Sequence, residues 1–166
     1  MDHTFRPLCW RDVLAVSRWR YPPPYGSYNL GLIPLVTTWL LQQILGLAGV
    51  TIYYAVVGDG GGLVGIFSYF AHDGTVEVGL AMRPDLTGQG GGLAFMRAGL
   101  AYAEREFAPA RFRLTVATSN RRAITVYERA GFRPVRTYTS RGLWRKREQL
   151  EMARDAWGRE GMRGEA

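Results

Sequence analysis

The sequence predicts one α/β (α+β) domain with a mixed, mostly antiparallel sheet flanked by helices. Three observations carry this. Between Thr51 and Met82, runs of β-forming residues alternate with hairpin turns. The last of these runs passes through a glycine-rich loop into an apolar, helix-like stretch, Leu93 to Phe107. Beyond it, the alternating segment Arg111–Ala117 is followed by a helix over Asn120–Ala130. A chain of 166 residues is long enough for one core and too short for two ordinary domains. The expected domain spans 1–157, and 158–166 reads as a loose tail.

Taken in order, Arg11–Arg20 places Val13, Leu14, Val16 and Trp19 at amphipathic-helix spacing. Tyr21-Pro-Pro-Pro-Tyr25 stops that helix, because successive prolines remove amide donors and hold the chain extended. A buried helix is expected over Trp39–Leu47. Thr51–Val57 and Leu63–Phe70 form a hairpin about the turn Gly58–Gly62, and Asp73-Gly74 turns into a third strand, Thr75–Met82. Pro109 closes the long helix. In Arg111–Ala117, Phe112, Leu114 and Val116 alternate with Arg111, Arg113 and Thr115, the period of a strand. Gly131 stands where a helix C-terminal cap belongs. Phe132–Tyr138 and Gln149–Ala153 are weaker strand candidates.

Hydrophobic content of 47% and aromatic content of 13% exclude a disordered chain. The net charge is +7, almost all arginine, since Lys146 is the only lysine. Such a surface attracts nucleic acid, anionic membranes or phosphorylated small molecules, or is simply solvated. The densest run, Arg141–Arg147, is too short and mixed for a nucleic-acid motif, so nucleic acid is not the expected partner. Cys9 is the single cysteine, which excludes an internal disulfide. His3 and His72 lie in no metal-ligand spacing, so no metal is expected. The start, Met-Asp-His-Thr-Phe-Arg, has no apolar signal-peptide core, and Leu30–Val50 is broken by glycines and a proline. A cytoplasmic protein without a membrane partner is the expectation.

Pro84-Asp-Leu-Thr-Gly-Gln-Gly-Gly-Gly92 lies between strand and helix. Glycines there let the backbone approach a ligand and adopt positive φ, and the helix start offers free N–H groups and partial positive charge. Together they suit a phosphate. A glycine loop with no ligand stays open on this segment alone. A Walker loop is excluded, because no lysine follows the glycines, and the preceding hairpins disfavour a dinucleotide fold.

A second segment narrows the choice. Arg113-Leu-Thr-Val-Ala-Thr-Ser-Asn120, then Ala123 and Tyr127-Glu-Arg-Ala-Gly-Phe132, resembles the second half of the GNAT acetyltransferase core. Val76-Glu-Val-Gly-Leu-Ala-Met-Arg-Pro84 resembles the family's fourth strand, and Thr87-Gly-Gln-Gly-Gly-Gly92 its pyrophosphate loop. The resemblance is strong from Leu63 to Val135 and holds the family's order and spacing. One departure is Thr87, where the family usually has arginine or glutamine.

The resemblance implies a GNAT-like fold with splayed central strands, and transfer of the acetyl group of acetyl-CoA to a primary amine by direct attack through a tetrahedral intermediate. It assigns Leu80, Ala81 and Met82 to the edge that pairs with the pantetheine arm, with an amide near Leu80 facing the thioester carbonyl. Gly88, Gln89, Gly90, Gly91, Gly92 and Leu93 would cradle the pyrophosphate, and Asn120 would bond the cofactor chain. Tyr127 would protonate the leaving thiolate, the alternative being a core tyrosine. Glu77 is the candidate base, or else an exposed strand carboxylate; Thr115 stands where some relatives carry a glutamate. Trp19, Tyr21, Tyr25 and Tyr28 fall in the loop that covers the acceptor site, as pocket wall or as packing. The acceptor would be a small-molecule or peptide amine, and a homodimer is admitted. The competing readings are a non-catalytic GNAT-like module that binds acetyl-CoA as a sensor, and a basic nucleic-acid-binding protein.

Overall fold

The computed structural model describes residues 3–28, 51–141 and 146–156. The helix expected over Trp39–Leu47 and the tail 158–166 lie outside the described residues. In chain order the elements are β1 (Thr4–Pro7), α1 (Trp10–Ser17), β2 (Ile52–Val57), β3 (Leu63–His72), β4 (Thr75–Met82), α2 (Gly92–Phe107), β5 (Arg111–Ala117), α3 (Arg121–Arg129), β6 (Arg133–Arg141) and β7 (Lys146–Asp155). Short 3₁₀ turns occupy Tyr25–Tyr28 and Pro84–Leu86.

The seven strands form one sheet in the order β1-β2-β3-β4-β5-β7-β6. The β4–β5 pair is parallel, while β1–β2, β2–β3, β5–β7 and β6–β7 are antiparallel. This is the expected mixed, mostly antiparallel sheet. Asp73 and Gly74 take positive φ, 45° and 70°, as a two-residue hairpin turn between β3 and β4 requires. Sequence alternation gave no strand at Thr4–Pro7, which is formed by pairing with β2. The basic run Arg141–Arg147 contributes the end of β6 and the start of β7, in register as Arg141↔Lys146.

Two compact units make up the chain: Met1–Phe70 with Leu80–Gly92, and Ala71–Gly79 with Leu93–Ala166. In the first, Leu8, Val13, Val16, Trp19, Ala55 and Ile66 form a core under α1. Cys9 precedes the helix, and its amide donates to Asp12 Oδ2 at 2.9 Å, the reciprocal arm of a capping box. Both terminal nitrogens of Arg6 donate to the same carboxylate, at 2.6 and 2.8 Å. Burial of Asp12, only 5% exposed, would favour its neutral form, but the Arg6 and Cys9 hydrogen bonds outweigh this and hold its carboxyl below the usual range. A depressed carboxyl stabilises the fold above the unfolded value, near about 4, and loses that contribution as pH falls through the lower folded value. Asp12→Ala should therefore lower stability by about 1–3 kcal/mol in urea unfolding at neutral pH. The difference from the parent should shrink in acid below that unfolded value.

In the second unit α2 buries Phe95, Met96, Gly99, Leu100 and Ala103, one stripe of a 3.6-residue period. β5 buries Phe112, Leu114 and Val116, the alternate residues that the sequence singles out. Glu151 on β7 is buried between Arg113 at 3.1 Å and Arg136 at 2.8 Å. The end of α3 is a Schellman motif. Gly131 has φ of 92°, its amide donates to Glu128 O, and the Phe132 amide donates to Tyr127 O, both at 3.0 Å. The accompanying hydrophobic contact is Tyr127 on Phe132, ring centroids 6.3 Å apart.

Candidate active site

The glycine loop is built from its own side chains. After β4 the chain makes the Pro84–Leu86 turn, which Thr87 closes: its amide and its hydroxyl both donate to Pro84 O, at 3.1 and 2.7 Å. Arg83 Nε donates to Asp85 Oδ1 at 2.7 Å, and Arg83 Nη1 donates to Leu63 O at 3.1 Å. The Arg83 hydrogen bond holds the Asp85 carboxyl below its usual range. Gln89 Nε2 returns to Asp85 O at 2.6 Å. Thr87, the departure from the family pattern, is thus a turn-closing residue here, and Gln89 spends its amide bracing the loop.

Gly88 and Gly90 have φ of 81° and 84°, which side-chain-bearing residues rarely adopt. A Cβ built at Gly90 or Gly91 would meet nothing within 4 Å, so the backbone faces open space. Gly92 is the first residue of α2 and is not among the positive-φ glycines, so any need for glycine there comes from close approach and not from backbone strain. Among the described residues, no amide of Gly88–Gly92 has a protein acceptor. An open glycine backbone heading a 16-residue helix fits a phosphate. The same open backbone fits the pyrophosphate of acetyl-CoA.

β4 and β5 pair from Thr75↔Arg111 to Glu77↔Arg113, while β4 continues to Met82. Leu80, Ala81 and Met82 lie on that continuation and are half-buried. The Tyr21 hydroxyl donates to Met82 O at 2.7 Å. That carbonyl of the expected cofactor edge is therefore already engaged. Tyr21 is a strand-end anchor, a role invisible in the sequence because the partners are 61 residues apart. Trp19, expected in the acceptor-site loop, is 9% exposed in the core of the first unit. Its ring is packed in the core, in keeping with the packing alternative for this residue. Tyr25 is half-buried, and the backbone of Tyr28 completes the same 3₁₀ turn.

Asn120 caps α3: its Oδ1 accepts from the Ala123 amide at 3.3 Å. This leaves its side-chain NH₂ as the group with donors to offer a ligand. Tyr127 lies two turns on, 9% exposed, on the helix face that also buries Ile124. Its carbonyl and ring are both tied into the Schellman motif, so the sequence Ala130-Gly131-Phe132 fixes where the tyrosine stands. Leu93, in the first turn of α2, is half-buried.

Glu77 alternates with buried Val76 and Val78 and projects from the opposite face of β4. It is about half exposed, and His72 Nε2 lies 3.5 Å from its Oε1. Strand period places Glu77 on that face, whereas the His72 contact arises from the hairpin fold-back at Asp73-Gly74. Among the described residues no group of three or more His, Cys, Asp or Glu could hold a metal ion, and no helix is long and apolar enough to cross a membrane.

A mixed sheet with a glycine loop and helix after β4, and a capped helix after the parallel strand β5, defines an α/β protein with an open backbone loop at a helix start. The chain belongs to the GNAT acetyltransferase family: the model of the acetyltransferase (GNAT) domain matches residues 4–133, and the protein is an acyltransferase. Among solved structures the fold is similar to a SpeG spermidine N-acetyltransferase chimera from Vibrio cholerae and hSSAT, with TM-score 0.78, 16% identity, and coverage of 94% of this chain and 96% of that one. It is also similar to spermidine N-acetyltransferase from Vibrio cholerae in complex with CoA and spermine, with TM-score 0.74, 17% identity, and coverage of 93% and 95%. A dodecameric structure of the Vibrio cholerae enzyme follows at TM-score 0.70 and 16% identity, with coverage of 93% and 94%. No curated protein matches the sequence.

Proposed function

We propose that this chain is an acetyl-CoA-dependent N-acetyltransferase acting on an amine of low positive charge. The observation that carries the reading is the open glycine backbone, positive φ at Gly88 and Gly90, running into the N-terminus of α2. When bound there, acetyl-CoA supplies a thioester-activated acetyl group. The amides of Gly88–Gly92 and Leu93 hold its pyrophosphate, and the β4 edge at Leu80–Met82 orients its arm, with an amide near Leu80 as the oxyanion donor. Asn120 donates to the cofactor chain through its side-chain NH₂. Tyr127 gives its proton to the sulfur as the carbon–sulfur bond breaks.

Glu77 takes the proton that the acceptor amine must lose, since an alkyl amine, with an ordinary value of about 10.4, is almost wholly protonated at neutral pH. His72, 3.5 Å from that carboxylate, is a route by which the proton can leave. The similar Vibrio cholerae structure is of a spermidine acetyltransferase. The whole-chain net charge of +7 disfavours approach of a polycation, which supports a monoamine or a peptide α-amine over a polyamine.

At acetyl-CoA about 100 times its dissociation constant, binding should stabilise the fold by about 2.7 kcal/mol. Thermal melts with acetyl-CoA and CoA measure this, followed by thiol-release assays over monoamines, peptides and polyamines. A melt unmoved by millimolar donor would count against the assignment. Donor binding without turnover on any amine would favour the sensor reading.

A further inference from the structure

The second compact unit contains a cavity of about 510 Å³ that none of the residues read above as acetyl-CoA contacts lines. Its wall is made by α2, the C-terminal end of α3, the start of β5 and of β6, and the end of β7. Five arginines line it, Arg97, Arg111, Arg129, Arg133 and Arg154, against a single carboxylate, Asp155.

Two of the five are committed to the protein. Arg111 Nε pairs with Asp155 Oδ1 at 3.1 Å. Arg154 is 8% exposed; its Nη1 donates to Ala130 O at 3.0 Å, its Nε to Asp155 O at 3.1 Å, and its Nη2 lies 3.4 Å from Glu104 Oε1. Arg154 therefore forms a fixed floor. Its bond to Ala130 O also covers one of the carbonyls at the C-terminus of α3, whose negative dipole end would otherwise oppose an anion.

Arg97, Arg129 and Arg133 are exposed, and among the described residues none has a carboxylate partner. Three uncompensated guanidinium groups around one concavity repel each other. A multiply charged anion placed among them relieves that repulsion and gains charge-assisted, fork-shaped hydrogen bonds. The volume lies within the roughly 300–1,000 Å³ range of small-molecule sites. The described lining holds no aromatic ring, so nothing there stacks on a base. The recognised chemistry is the phosphate chain itself.

We infer that this arginine-lined cavity is a second ligand site of the protein, one that takes a small compound bearing two or more linked phosphates. Free polyphosphate and a phosphate chain carried on a small metabolite present the same oxygens, so both are probed.

Calorimetric titration of the full chain with sodium tripolyphosphate in about 150 mM salt should show saturable binding that saturating CoA leaves in place. Arg129→Gln/Arg133→Gln should weaken it by about tenfold or more, because each lost charged hydrogen bond is worth about a tenfold factor. The same variant should keep its thermal stabilisation by acetyl-CoA, and Gly90→Val should keep its tripolyphosphate binding, so this site and the donor site succeed or fail separately. Binding of adenosine triphosphate with the affinity of tripolyphosphate would assign recognition to the phosphates alone, and tighter binding would assign a carried phosphate chain. The inference is overturned if the double variant binds tripolyphosphate as tightly as the parent, if CoA displaces it fully, if sulfate at equal ionic strength gives the same signal, or if only single-stranded RNA binds.

Discussion

Tyr127→Phe should slow acetyl transfer by about a hundredfold to ten-thousandfold, the usual worth of a positioned general acid. An ordinary thiol titrates near about 8.5 and an ordinary tyrosine near about 10, so full transfer of the proton before the bond breaks is uphill. In the proposed role the hydroxyl would act by a hydrogen bond that strengthens as negative charge grows on sulfur. Phenylalanine keeps the ring against Phe132, and the backbone carbonyl that accepts from the Phe132 amide is unchanged. The Schellman end of α3 should survive, and with it the fold. Because the lost interaction belongs to the transition state, acetyl-CoA affinity should stay near that of the parent while the rate falls. Single-turnover rates on a competent amine, with affinity measured alongside, separate the two. An unchanged rate would leave Tyr127 as the hydrophobic half of a helix cap, which its burial already makes it.

Gly90→Val should lower acetyl-CoA affinity by about tenfold or more, since holding a side-chain-bearing residue in a sparsely populated backbone region costs about 1–3 kcal/mol. The φ of 84° makes the position strained for a β-branched residue, while the empty space around its Cβ removes any clash with the protein itself. The loop must then either keep its shape under strain or relax and lose the amide geometry. Gly91→Ala is the informative partner: its Cβ also meets nothing within 4 Å, and Gly91 is not a positive-φ position. A methyl there should be neutral to the apo fold and weaken binding only through contact with the ligand. Isothermal titration of both variants checks the pair. Donor binding unchanged in both would move the phosphate site off this loop.

The two segments most legible in the sequence are those whose structure is determined by near neighbours. Val76–Val78 and Arg111–Val116 alternate more and less buried residues, and strand period alone sets which face each side chain takes. Asn120 and Gly131 bracket α3 because capping chemistry is local: an acceptor side chain at one end, and a residue free to take positive φ at the other. For the same reason the glycine loop could be read as an anion cradle before any coordinates, and Tyr127 as the tyrosine two turns beyond Asn120.

What failed or was missed depends on residues distant in the chain. Trp19 reads both as an apolar position of an amphipathic segment and as part of an aromatic loop, and only packing puts it in the core with Ala55 and Ile66, where burying its large apolar ring is favourable. Tyr21 meets Met82 O, and β1 exists because β2 pairs with it. His72 reaches Glu77 only because Asp73-Gly74 folds the hairpin back. The arginines at 97, 129 and 133 look like scattered solvated charge along the chain. By itself the sequence determined the hairpin strands after Thr51, the helices α2 and α3, the caps of α3 and the glycine loop, because those rest on backbone conformation and short-range hydrogen bonds. Tertiary packing alone decided which aromatics are core, which carbonyl of β4 is engaged and which charges converge on one cavity, because those depend on segments that meet only after the sheet has formed.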